Sequence, residues 1–318
     1  MTSRRAMLVA AAGAATLLSP SLGFTPSRTT APDESCSSPP LSSPSSPPLK
    51  SPLPLAASAA ETSPVHSLDF WSKRWADKLT GWHQAHTHAS LINHGDSCFP
   101  VGSTVLVPLC GKTVDMASLA TRGRSVVGVD AARKAFQEFA DEQRSVVQLD
   151  AENDSEEHPN FETYKGTTGV GTTVSLLRGD FFELNLPEPV QGVWDRAAFV
   201  AIKPELRAKY AETLGRNLAP GGTILMSTFY RVKGTPEALA GGPPFSVSSV
   251  NVWDVFGELE WVDSIALVES IDIFTHERYK DDVAKWKKAG LTEFRELVFV
   301  IKKKDTQVGA VLKMLGLK

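Results

Sequence analysis

The chain has 318 residues, a formal net charge of −3 at pH 7 and three cysteines. Its first 64 residues hold 11 of the 21 prolines and 14 serines, too little apolar periodicity to offset the entropy of ordering, so residues 1–64 read as a targeting leader and a disordered Pro/Ser-rich linker. The remainder, 65–318, suits a single domain with one sizeable core; its 29 basic and 33 acidic residues speak against a nucleic-acid surface. Cys36 lies in the leader, which excludes a disulfide scaffold. No apolar run of about 18 residues follows the leader, so the later part carries no membrane-spanning helix pattern.

In chain order, Arg4 and Arg5 precede the apolar stretch Met7 to Leu18, and Ser21-Leu22-Gly23 supplies small residues before Phe24. That is a signal-peptide pattern with cleavage expected before Phe24. The Ser, Thr and Pro that follow resemble a transit peptide, and the two together resemble the bipartite plastid address of algae with secondary plastids. Secretion and a mitochondrial address are the alternatives.

From Asp69 on, strand and helix signals alternate. Thr104 to Val107 is a short apolar, β-branched run stopped by Pro108, which predicts a buried strand. A helix is expected over Thr113 to Ala120, stopped by Arg122-Gly123. Ser125 to Val129 predicts the next strand, ending on Asp130, and Ala131 to Gln143 a helix with Ala132, Ala135, Phe136 and Phe139 on one face. Asp150 to Asn160 is acidic and polar and reads as a surface insertion. Thr172 to Leu177, Gly192 to Ala197 and Thr223 to Phe229 predict further strands, with a helix over Pro204 to Leu218 between the last two. Ser248 or Ser249 is placed to cap a helix running to Phe256, and Ile265 to Val268 and Leu297 to Lys302 read as late strands. This alternation implies a doubly wound, Rossmann-like α/β sheet, mostly parallel with one late antiparallel strand. Such sheets bind ligands beyond the carboxyl ends of their strands.

The turn after the first strand, Val107-Pro108-Leu109-Cys110-Gly111-Lys112, is neither G-x-G-x-x-G nor G-x-x-x-x-G-K-[ST], which removes the usual cradles for a dinucleotide or a nucleoside triphosphate. Asp130 follows Gly111 by 19 residues, the spacing of a ribose-binding acid. Asp180, after the third strand, is placed to meet an adenine amino group. A nucleoside site without a phosphate site suits S-adenosyl-L-methionine, whose adenosine carries a charged sulfonium amino acid.

Six segments then carry a family resemblance: Phe70-Trp71-Ser72-Lys73-Arg74-Trp75, Gly81-Trp82-His83-Gln84, Val107 to Lys112, Val126-Val127-Gly128-Val129-Asp130, Trp194-Asp195-Arg196-Ala197-Ala198 and Gly242-Pro243-Pro244-Phe245. In order and spacing the chain resembles the thiopurine S-methyltransferase family from about Leu68 to Lys303. The resemblance implies an S-adenosylmethionine-dependent enzyme acting on a small thiol or thiopurine, usually monomeric; the charge balance, the lack of a long apolar run and the histidine spacing lead to the expectation of no nucleic acid, membrane or metal partner. It implies that Trp71, Trp75 and Trp82 enclose the methionine part and the reacting methyl, that Leu109 and Gly111 line the turn, that Asp130 holds the ribose, and that Asp180 and Phe181 hold the adenine. Arg196 is implied beside both cofactor and acceptor, and Arg278 as a second arginine near the acceptor. Asp130 is shorter than the Glu frequent in the family, and Trp82 replaces a frequent Phe.

Other readings remain beside these. The same fold and cofactor serve halide or bisulfide acceptors; a non-catalytic binding module and a dinucleotide oxidoreductase are further options. Cys110 reads as a small packing residue rather than a nucleophile. His83, His86, His88 and His94 lack the spacing of a zinc set and read as a polar loop with His83 near the cofactor. Asp195 and Arg196 have an alternative reading as a structural ion pair.

Overall fold

The computed structural model describes residues 68–152 and 157–305. The leader reading of 1–64 and the weakly helical apolar pattern of 308–318 lie outside the described residues. The chain opens with helices α1 (Leu68–Ala76) and α2 (Ala89–Cys98), then alternates β1 (Thr104–Pro108), α3 (Val114–Thr121), β2 (Ser125–Asp130) and α4 (Arg133–Glu142). Three strands follow, β3 (Asp150–Glu152), β4 (Glu162–Thr167) and β5 (Thr173–Arg178), then β6 (Val190–Arg196), α5 (Arg207–Asn217) and β7 (Leu218–Gly234). The last part holds α6 (Pro236–Ala240), α7 (Ser249–Phe256), β8 (Val262–Asp272), α8 (Val283–Lys288) and β9 (Leu291–Lys303).

Among the described residues nine strands form one sheet, in the order β3-β4-β5-β2-β1-β6-β7-β9-β8. The middle five pair in parallel, whereas β4 and β9 run against their neighbours. The expected late antiparallel strand is β9. The expected insertion at Asp150 is partly wrong: residues 150–152 pair with β4 as an edge strand. Backbone hydrogen bonding at a sheet edge tolerates the polar side chains that made this segment read as a loop.

Alternation along each strand sends successive side chains to opposite faces. Val105 and Val107 join Met116, Phe136, Phe139 and Trp194 in the core under α3 and α4. Leu106 points the other way and joins Tyr210, Leu214, Val252 and Phe256 under α5 and α7. Ser248 caps α7 in a reciprocal box with Asn251, which satisfies donors the first helical turn leaves free. The histidine segment is not all loop. His88 caps α2 by accepting from the Ser90 N–H, and the helix runs on past His94, whose ring meets Glu269 at 2.9 Å. Among the described residues, no helix is long and apolar enough to cross a membrane.

Candidate active site

The carboxyl ends of β1, β2, β5 and β6 open onto a cavity of about 470 Å³. At its centre is the turn after β1, where Leu109 has φ 45° and Gly111 φ 52°. Left-handed backbone strains any residue with a Cβ, and glycine escapes that cost. At Gly111 a second constraint applies, because a Cβ would lie 2.8 Å from Trp75 Cζ2. The turn is tied to β2: the Cys110 N–H donates to Val129 O at 3.0 Å and the Gly111 N–H to Asp130 Oδ2 at 2.8 Å. Asp130 Oδ1 accepts from the Ala132 N–H at the start of α4, at 2.9 Å. Burial raises the Asp130 carboxyl above its usual value, and these backbone donors oppose the shift. The Ala131 N–H is a further donor to this carboxylate, which keeps acceptor capacity for a ligand hydroxyl.

Three indoles form one wall. Trp71 and Trp75, four apart on α1, share a helix face, and Trp82 in the following loop packs edge-on against both, at 5.6 and 6.1 Å. The Arg74 guanidinium lies 5.2 Å over the Trp82 ring, which fixes the loop on the helix. Just beyond β5, Asp180 accepts from the Phe182 N–H at 2.9 Å, starting a 3-10 turn that buries Phe181 against Tyr210. Trp71, Trp75, Trp82, Leu109, Gly111, Asp130, Asp180, Phe181 and Arg196 all line the cavity.

Arg196 ends β6, half-buried, and no carboxylate or carbonyl among the described residues hydrogen-bonds its guanidinium. Burial lowers its pKa, while Asp115, Tyr279 and Glu296 favour the charge; an arginine in such surroundings stays cationic. The next residue, Ala197, has φ 67°. The alternative of an ion pair with Asp195 does not hold, because the two side chains leave the strand on opposite faces. Asp195 is fully buried and accepts from the Phe199 N–H at 3.0 Å and the Tyr210 hydroxyl at 2.7 Å. Burial raises its carboxyl to about 6 against those two donors.

Arg278 differs from the expectation. Among the described residues lining the cavity it has no place; its Nη1 donates to Glu296 Oε2 at 2.7 Å, and its neighbour Tyr279 lines the wall instead. The cause is Glu296, an acid with no exposure at all, which the sequence reading missed. It also accepts from Ser227 Oγ at 2.6 Å, from the Tyr279 hydroxyl at 2.5 Å and from His88 Nε2 at 3.1 Å. Burial alone would raise Glu296, but His88, Ser227 and Tyr279 outweigh it and bring the carboxyl to about 2. Cys110 is buried, and its Sγ would stand 2.9 Å from a Cβ at Gly128. Burial and then Asp130 push its thiol well up, which removes thiolate character.

A doubly wound sheet that opens at its carboxyl edge onto a cavity walled by indoles, with no glycine-rich phosphate cradle, suits an S-adenosylmethionine-dependent methyltransferase. The comparisons narrow this. The signature of the Thiopurine S-methyltransferase (TPMT) family matches residues 66–304, and the chain belongs to that family. It is 33% identical over 243 residues to a thiopurine S-methyltransferase of Azotobacter vinelandii, covering 74% of this chain and 99% of that one. The corresponding Pseudomonas fluorescens protein is 32% identical over 237 residues, covering 74% and 98%. Among solved structures, a Burkholderia thailandensis 1,6-didemethyltoxoflavin-N1-methyltransferase with bound S-adenosylhomocysteine aligns with a TM-score of 0.48 at 17% identity, over 81% of this chain and 94% of that chain. The Bradyrhizobium japonicum N-methyltransferase NodS aligns at 0.45 and 10%, over 68% and 85%.

Proposed function

We propose that this protein moves the methyl group of S-adenosyl-L-methionine to a small thiol or thiopurine-type acceptor. The observation that carries the reading is Arg196, a cation without a hydrogen-bonding partner among the described residues, set in a cavity walled by Trp71, Trp75 and Trp82. The donor suits the residues present: Asp130 keeps acceptor capacity for ribose hydroxyls, Asp180 and Phe181 flank the adenine position, and the indoles supply faces that attract a sulfonium. When bound, the donor supplies an electrophilic methyl group.

The protein's part is positioning. The indoles exclude water around the reacting carbon, and Arg196 favours the thiolate over the thiol as sulfur approaches. A thiol near its own pKa needs only such modest activation. Buried Cys110 has no covalent role. Arg278 acts on the site indirectly, by helping to hold Glu296 in place.

The test is an acceptor screen with the purified full chain, S-adenosylmethionine and an arenethiol, in competition with iodide and bisulfide. Thioether and S-adenosylhomocysteine should accumulate together. Iodide turnover well above thiol turnover would overturn the choice of acceptor, and tight donor binding with no transfer would make the protein a binding module. The proposal extends to a monomer with one methyltransferase domain over 65–318, delivered to a plastid by its leader. A fluorescent fusion of residues 1–64 found outside plastids would refute the address.

A further inference from the structure

We infer that His83 is the base that receives the proton of the thiol acceptor, an inference that rests on the thiol methyltransferase reading above. His83 lines the cavity in the loop that carries Trp82, directly after α1, and its backbone is fixed by a 2.9 Å bond from its N–H to Thr80 O. It follows Trp82 directly in the chain, and Trp82 packs on Trp71 and Trp75. The charged groups facing it are Lys112 from the turn after β1, Arg196 from β6, and Glu138 and Glu142 from α4. Its ring has no hydrogen-bond partner among the described residues. Burial and then Lys112 keep the imidazole below the usual histidine value, so the ring is neutral at physiological pH and has a lone pair to give.

Most of the cavity's other titratable groups have other work. Asp130 and Asp180 accept backbone N–H groups, and their remaining acceptor capacity belongs to the donor's adenosine in the reading above. Lys112 is ion-paired with Glu138 and Glu142 at 2.9 and 2.6 Å. The Tyr279 hydroxyl donates to Glu296, and Cys110 is shut in by burial. Arg196 offers charge but no basic lone pair. Asp282, which also lines the cavity at the head of α8, is the competing base.

The step balances as follows. His83 takes the proton as the acceptor's S–H bond opens, and the bonding pair stays on sulfur beside Arg196. That sulfur forms the new bond to the methyl carbon while the pair of the broken carbon–sulfur bond returns to the donor sulfur. His83, now imidazolium, gives its proton to solvent through its exposed side.

The test compares two acceptors in the full chain: benzyl mercaptan, which must lose a proton at pH 7, and 4-nitrothiophenol, which is already ionised. His83→Gln should lose about 100-fold in kcat/KM with benzyl mercaptan and less than about threefold with 4-nitrothiophenol, the selective loss expected of a general base. His83→Asn should repeat this, Asp282→Asn should not, and S-adenosylhomocysteine titration confirms that each variant retains its cavity. A second readout is NMR of the His83 ring in the S-adenosylhomocysteine complex: benzyl mercaptan should shift it toward imidazolium, and benzyl methyl sulfide should not. Equal losses with both acceptors, a selective loss in Asp282→Asn alone, or a ring that stays neutral would overturn the inference. Failure of the wild-type protein to methylate either thiol would instead sink the functional reading.

Discussion

Gly111→Ala isolates the coupling between the β1 turn and the aromatic wall. Two costs add at this position. An alanine held at φ 52° carries roughly 1–2 kcal/mol of left-handed strain. Its methyl would meet Trp75 Cζ2 at 2.8 Å and Cη2 at 3.4 Å, and overpacking of a filled site costs about 1–3 kcal/mol. The sum, about 2–5 kcal/mol, should lower the thermal midpoint of the ligand-free protein by roughly 5–15 °C for a domain of this size. Trp75 is only 3% exposed, so it has little room to retreat without moving α1. Affinity for S-adenosylhomocysteine should fall with the midpoint, read by calorimetric titration. Trp75→Phe removes the indole atoms that collide. The double variant should therefore be more stable than the two single losses predict, by about 1–2 kcal/mol. Strict additivity within about 0.5 kcal/mol, or an unchanged midpoint for Gly111→Ala, would refute the packing of Trp75 on this turn.

Asp195→Asn should flatten the pH dependence of stability. The carboxyl titrates at about 6 when folded and at 3.8 ordinarily, so the folded state holds the proton more tightly and stability falls as pH rises between those values; the cost of ionisation at neutral pH is about 3 kcal/mol. Urea unfolding from pH 4 to 7 measures the slope, and an identical slope in the variant would contradict the assignment. Glu296 has the opposite sign: its carboxyl lies at about 2 rather than 4.5, so its contribution is present above pH 4.5 and lost as pH falls toward 2. Glu296→Gln leaves Arg278 facing a neutral amide and should cost about 3–5 kcal/mol, lowering the midpoint by roughly 6–15 °C. Arg196→Ala should reduce turnover about 100-fold with S-adenosylhomocysteine affinity little changed, whereas Asp130→Ala should weaken that affinity about 10-fold or more. The reverse pattern would exchange the two roles.

The central strands could be read before the structure because burial on both faces writes itself as short continuous apolar runs, as in Val105 to Val107 and Ile224 to Met226. The turn at Leu109 to Gly111 and the acid at Asp130 were legible for a related reason, since the end of a parallel strand is where a ligand must be met. The edge was harder. β3 and β4 are short and polar, and their pairing partners alone make them strands. α2 lacked a readable start because its cap is a histidine, His88, rather than Ser, Thr, Asp or Asn. The cluster around Glu296 joins residues 88, 227, 278, 279 and 296. No local pattern announces a buried acid whose donors come from such distant segments. The motif match set Arg278 near the acceptor, but it carried no information about which carboxylate would claim the guanidinium.

The walls of the cavity come from opposite ends of the described chain: Trp71 and Trp75 near its start, Tyr279 and Trp286 near its finish, with the sheet's middle strands between. During synthesis the strand ends that carry Gly111 and Asp130 can therefore form before the chamber above them closes. A chain halted ahead of β9 lacks Glu296 and so leaves His88 and Tyr279 without the acceptor they share. The cavity is thus complete only once β9 has been made, and a chain ending before it should bind no S-adenosylhomocysteine.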